Sequence, residues 1–189
     1  MKDIFRGEFV RITAEEPEAR ARVEVRWQGD SEFHRLAGAE PAMMESEKKL
    51  KERFEKQNED GFNPRRYSFF IRTLNDDKNI GYFGLSVNPI HGEAWFWIGI
   101  GDREYWGKGY GTDVINLCLR YAFIELNVHR VSLGVHEYNP RALRAYEKAG
   151  FQLEGRTRKD VFREGNRTDS LWMGILRDEW LAMQDGENQ

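Results

Sequence analysis

The chain has 189 residues, 40% of them hydrophobic and 32% charged, the proportions of one globular domain with room for a full core. Its formal net charge of -3 gives no general attraction to nucleic acid or to an anionic membrane. No apolar run is long enough to span a bilayer, and the start Met1-Lys2-Asp3-Ile4 lacks a signal-peptide core, so a cytoplasmic single domain over 1–189 is expected.

Phe9 to Thr13 alternates like a first strand. Glu15-Glu16-Pro17-Glu18 then opens a helix that should end near Gln28-Gly29-Asp30. The stretch from Glu45 to Asp60 reads as a second helix with Leu50 and Phe54 on one face, and Gly61-Phe62-Asn63-Pro64 ends it. Three strands follow as a meander: Tyr67 to Arg72, Ile80 to Val87 and Ala94 to Ile100, separated by polar turns. On the last of these, Trp95 and Trp97 share one side. Core packing is the commoner fate of such a pair; an aromatic wall of a binding site is the alternative.

The second half alternates. Tyr110 to Asn127 is helical by pattern, Arg130 to His136 is a strand, and Asn139 to Ala149 is a helix. An extended stretch from Gly150-Phe151, a hairpin turn at Arg163 to Asn166 and a strand from Ser170 to Leu176 complete the chain. Strands separated by helices require some parallel pairing. The expected fold is α/β (α+β): a mixed, largely antiparallel sheet of about seven strands with helices on both faces. Cys118 is the lone cysteine; flanked by Val114, Ile115, Leu117 and Leu119, it reads as a small core residue. His34, His91, His129 and His136 show no metal-ligand spacing, and no metal is expected.

The chemistry concentrates in two segments. Trp106-Gly107-Lys108-Gly109-Tyr110-Gly111-Thr112 runs from a turn into a helix. Its glycines let a backbone approach a ligand closely, and the helix N-terminus supplies unpaired amides for an anion. Gly107-Lys108 is not followed by Ser or Thr, and the glycine spacing misses the dinucleotide fingerprint, so neither nucleotide motif applies. A plain glycine turn and an anion site both remain open on spacing alone. The second segment is Asn139-Pro140, an N-cap with proline at the first helical position, followed to Gly150 by a helix whose Ala142, Ala145 and Ala149 keep one stripe slim beside Tyr146.

Together, in this order and spacing, the two segments resemble the GCN5-related N-acetyltransferase superfamily, in the branch of ribosomal-protein N-terminal and spermidine acetyltransferases. The likeness is strongest from about Gly92 to Met173. It implies a sheet splayed in the middle, with acetyl-coenzyme A as cosubstrate. Gly99, Ile100 and Gly101 would lie along the pantetheine. Trp106, Gly107, Lys108, Gly109, Tyr110, Gly111 and Thr112 would hold the pyrophosphate, and Asn139, Ala142 and Lys148 would make further cofactor contacts. Trp106 stands where the family usually has Gln or Arg, which leaves that corner to backbone amides and Lys108.

By the same resemblance Tyr146 is the catalytic acid, protonating the leaving thiolate. The family's strand glutamate is displaced or absent in Glu93-Ala94-Trp95-Phe96-Trp97; Glu93, His136, Glu137 and Asp169 are the alternatives for a base. Arg158, Asp160, Arg163 and Asp169 are weighed as cleft residues against paired surface charges. The acceptor is an amine: a protein N-terminus or a small molecule, with a polyamine as the nearest alternative. The acids Glu15, Glu16 and Glu18 suit a polyamine, yet helix starts favour acids anyway. A non-catalytic acyl-coenzyme A sensor is the contrasting class. No nucleic-acid or membrane partner is expected, and a homodimer is the expected form where the chain associates.

Overall fold

The computed structural model describes residues 3–38, 40–59, 61 and 63–186. Asp60 and Phe62, at the end of the second helix of the sequence reading, lie outside the described residues. In chain order the elements are β1 (Val10–Thr13), α1 (Pro17–Gln28), α2 (Ser31–Ala37), α3 (Glu47–Glu59), β2 (Arg66–Thr73), β3 (Asn79–Asn88) and β4 (Glu93–Ile100). A 3-10 turn (Arg103–Tyr105) leads to α4 (Tyr110–Arg120), a π turn (Tyr121–Glu125), β5 (Arg130–His136), α5 (Pro140–Lys148), β6 (Gln152–Arg163), β7 (Asn166–Leu176) and α6 (Arg177–Gly186).

The seven strands form one sheet in the order β1-β2-β3-β4-β5-β7-β6. Only β4 and β5 run parallel, and the helix α4 supplies their crossover. Their pairing is short: Glu93, Ala94 and Trp95 meet Arg130, Val131 and Ser132, and the strands then part. β4 stays paired with β3 to Ile100, and β5 with β7 to His136. The sheet is therefore intact on both sides of a central split.

Alternation along β4 sorts the two faces. Ala94 and Phe96 join the main core with α4, α5 and α6 through Ile115, Tyr146 and Trp180. On the opposite face a Cβ on Gly101 would strike the Trp27 ring of α1, and one on Gly99 would approach Phe33 of α2. The face carrying Trp97 and Gly99 is thus covered by α1 and α2, which α3 backs through Ala21, Leu50 and Phe54. Cys118 is buried in the main core, where burial pushes its thiol well up, so it fills space as the sequence reading expects.

Three elements were not read from sequence. α2 starts on a real cap: Asp30 accepts from the amides of Glu32 (3.0 Å) and Phe33 (3.1 Å). The end of the predicted helix 110–127 is a π turn closed by the Leu126 amide on the Tyr121 carbonyl, 3.1 Å. α6 begins where Glu179 accepts from the Leu176 amide at 2.9 Å and seats Trp180 against Phe123, rings 5.4 Å apart.

Candidate active site

The split between β4 and β5 opens into a cleft of about 570 Å³. Strand alternation explains its polar lining. Gly101 gives its amide to Ile80 of β3 (2.9 Å), so Gly99 and Gly101 face β3 while Ile98 and Ile100 turn their backbone groups into the gap. The indole nitrogen of Trp106 donates to the Ile100 carbonyl at 2.7 Å. Of the strand residues predicted along the pantetheine, Gly99 and Ile100 line the cleft, whereas Gly101 lies outside its lining and against Trp27.

The glycine loop forms one end. Gly107 and Gly109 take φ of 72° and 91°, a left-handed conformation that costs other residues about 1–2 kcal/mol. Gly109 is the residue preceding α4, so the loop delivers the helix N-terminus to the cleft with no side chain in the way. Gly107, Gly109, Gly111 and Thr112 line the cavity; Lys108 and Tyr110 do not. Lys108 is exposed, and Tyr110 packs on Phe9 and Tyr105, at 5.6 and 4.9 Å.

α5 forms the opposite wall. Its N-cap Asn139 is buried, accepts from the Ala142 amide (3.2 Å) and donates to the Leu36 carbonyl of α2 (3.3 Å). The asparagine thus joins the two helices that flank the cleft. Positions 141, 144, 145 and 148 recur at helical spacing, and Arg141, Ala142, Arg144, Ala145 and Lys148 all line the cavity. The Arg141 guanidinium lies 3.9 Å from the centre of the Trp106 ring, and burial draws its pKa down. The sequence reading missed Arg141 and Arg144. Their i, i+3 spacing ahead of Lys148 was the available signal, but two arginines early in an exposed helix look like ordinary surface charge.

Tyr146 is buried between Phe96 and Phe151, which it meets edge-on, yet it reaches the cleft. Burial, with Cys118 nearby, pushes its hydroxyl well above the usual phenol range, so it carries its proton at neutral pH. Trp95 and Trp97 correct the core expectation: both line the cleft, and Trp95 is 39% exposed. The Trp95 ring lies 5.6 Å from Trp172 of β7. The strand face they occupy is the one covered only partly by α2, so they form an aromatic wall.

The base candidates separate cleanly. Glu93 sits at the paired foot of β4, accepting from Ser132 at 2.7 Å beside Arg130 at 3.3 Å. Arg156 clasps both Asp169 (2.9 Å) and Glu137 (3.4 Å). Asp160 accepts from the Ser170 amide, and Arg163 donates to the Gly38 and Glu40 carbonyls. Glu15 pairs with Arg72, and Glu18 with Arg22 and Lys51. None of these lines the cleft; His136 does.

Among the described residues no group of His, Cys, Asp or Glu is placed to hold a metal, and no helix is long and apolar enough to cross a membrane. Residues 10–152 match the family model described as an acetyltransferase (GNAT) domain. A spermidine N(1)-acetyltransferase of Vibrio cholerae serotype O1 is 38% identical over 97 residues, 51% of this chain and 56% of the relative. A probable N-acetyltransferase of Bacillus subtilis is 37% identical over 66% of each chain. The alignment thus spans little more than half the length of the first of these curated relatives. The crystal structure of the Vibrio cholerae spermidine N-acetyltransferase with CoA and spermine superposes with a TM-score of 0.79 at 29% identity, covering 91% of this chain and 98% of that one. Matching family model, matching fold and a sheet split above a glycine loop agree, and the chain belongs to the GNAT acetyltransferase domain family.

Proposed function

We propose that this chain is one catalytic unit that transfers an acetyl group from acetyl-coenzyme A to a primary amine by direct attack. The carrying observation is the split sheet: backbone groups of Ile98 and Ile100 face an open gap that runs from the glycine loop to Tyr146. The residues present fit the cofactor. An extended pantetheine chain has amides that match a strand edge. The α4 N-terminus with Arg141, Arg144 and Lys148 offers donors and positive charge to phosphates. Asn139 and Ala142 shape the wall between them.

In the reaction the neutral amine attacks the acetyl carbonyl, the carbon–sulfur bond breaks, and Tyr146 gives its proton to the departing sulfur. A cofactor thiol pKa near ~8.5 lies below that of Tyr146, so this proton transfer is uphill, and departure of the thiol with reprotonation of the phenolate by solvent draws it forward. The inward amides of Ile98 and Ile100 are placed to polarise the thioester carbonyl.

The relatives named for spermidine, one of them bound to spermine, make polyamines the first acceptors to test. The cleft lining favours a second reading, an amine with an apolar or aromatic body: Trp95, Trp97, Phe33 and Leu36 line it, and none of its described lining residues is a carboxylate. Association is also open to test, since one Vibrio cholerae relative is dodecameric. The deciding experiment is thiol release from acetyl-coenzyme A with polyamines, peptide N-termini and arylalkylamines. Release with any amine supports transfer. Tight cofactor binding with no release on the whole panel overturns it in favour of an acyl-coenzyme A sensor.

A further inference from the structure

Resting on that reading, we infer that His136 is the general base that takes the proton from the acceptor amine. His136 ends β5 on the open side of the split, beyond the last β4–β5 pair at Ser132, and lines the same cleft as Tyr146. Its ring is half-buried and stacked on Tyr138, centroids 5.0 Å apart and 17° from parallel. Tyr138 is itself fixed by donating to the Arg35 carbonyl of α2 at 2.7 Å. The imidazole is thereby held in place, and its Nδ1 is buried with no hydrogen-bond partner among the described residues. A histidine serving only the architecture would use that nitrogen, because a buried polar atom left unpaired costs stability.

The electrostatics agree. Burial first, and Arg163 of the β6–β7 hairpin second, draw the imidazole below its ordinary range, with Asp160 opposing them. The facing β4 wall offers Trp95 and Trp97 and no titratable group. His136 is therefore neutral at pH 7 and able to accept a proton. The carboxylates that sequence offered as alternatives are held in ion pairs or hydrogen bonds outside the cleft.

The step balances. The amine nitrogen forms its bond to the acetyl carbon while its N–H bond breaks toward His136. The carbon–sulfur bond breaks and Tyr146 protonates the sulfur; solvent then reprotonates the phenolate and deprotonates the imidazolium. Net, amine and thioester become amide and thiol.

The test is the pH dependence of kcat/KM for an accepted amine, in the wild type and in His136→Gln. Between the histidine and amine pKa values the logarithm should rise with a slope of about one, and below the histidine pKa with a slope of about two, because both groups must be deprotonated. In His136→Gln the rate should fall roughly 10²–10⁴-fold, the slope should stay near one throughout, and coenzyme A affinity should be unchanged. Added imidazole should restore part of the rate to His136→Ala. A His136→Gln enzyme with wild-type rate and wild-type profile overturns the base assignment and leaves acetyl transfer standing. A wild type that releases no thiol with any amine overturns transfer and the base together. If both variants misfold, NMR titration of His136 in the wild type decides: an imidazole still protonated at pH 7 overturns the proposal.

Discussion

Arg141→Ala probes the corner where Trp106 replaces the family's usual polar residue. The Arg141 guanidinium lies 3.9 Å over the Trp106 ring, and among the described residues no carboxylate forms an ion pair with it. Its edge donors are available while its face is stacked. A hydrogen bond from a charged donor to a cofactor phosphate is worth about 1.5–3 kcal/mol. The stacking on Trp106, about 0.5–1 kcal/mol, is present with and without cofactor and largely cancels. Arg141→Ala should therefore weaken coenzyme A binding about 10–100-fold at 1.4 kcal/mol per decade, with a shallower salt dependence because one screened charge is gone. Arg141→Lys should fall between, keeping charge and losing the planar fork. Isothermal titration at two salt concentrations measures both effects, and dephospho-coenzyme A as ligand shows whether the contact is to the 3′-phosphate or the pyrophosphate. A dissociation constant within about twofold of wild type, with an unaltered salt slope, refutes the phosphate role.

Three further outcomes follow from the same geometry. Tyr146→Phe keeps the ring packed on Phe96 and Phe151, so stability and coenzyme A affinity should hold while kcat falls at least about 10²-fold; unchanged turnover removes the acid assignment. Gly109→Ala places a side chain at φ 91°, costing about 1–2 kcal/mol, or roughly 2–8 °C in Tm. It should also weaken coenzyme A binding, whereas Gly165→Ala, at φ 82° on the hairpin tip with open space around it, should cost stability alone. Finally, the Arg103 hydrogen bond holds the Asp30 carboxyl down from 3.8 to about 2. A depressed pKa gives stability that is present above the unfolded value and lost as pH falls through the folded one. Between pH 4 and 2 the wild type should lose melting temperature faster than Asp30→Asn, which keeps the α2 cap without the charge; parallel curves count against it.

What sequence could show depended on how local each signal was. The bounds of α5 were legible because Asn139-Pro140 and Gly150 are start and stop signals that act within one turn. β5 was legible because Arg130 to His136 is apolar and bounded. α2 escaped because seven residues are too few for a period, although Asp30 carried its cap. Adjacency in the loop points to Lys108 as a phosphate ligand, but the left-handed glycines on both sides turn the cavity toward backbone and leave that side chain in solvent. Arg141, by contrast, is 35 residues from Trp106 in sequence and meets it only because α5 packs across the split. His136 was among four base candidates, and only burial and partner geometry separate it from the three carboxylates.

The tryptophans show why the split survives. Backbone pairing between β4 and β5 stops at Trp95 and Ser132, and beyond it each strand would gain from closing the ladder. Gly134, two residues further along β5, is in register with Trp172 of β7. A Cβ there would lie 3.0 Å from the Trp172 ring and 3.5 Å from that of Trp95. The bare backbone at Gly134 thus lets the Trp95 ring approach Trp172 across β5, and their contact ties the sheet halves where hydrogen bonds end. Apolar contact replaces the ladder on one face, while Ile98 and Ile100 keep their inward polar groups for another partner. Among the described residues, the Ile100 carbonyl is the one of these groups already engaged, by Trp106. A sheet that closed fully would satisfy those groups and lose the cleft; a sheet that opened further would lose the indole contact. The open strand edge is therefore built into the fold, and a ligand carrying its own amides would complete the ladder at no cost in strand-to-strand bonds.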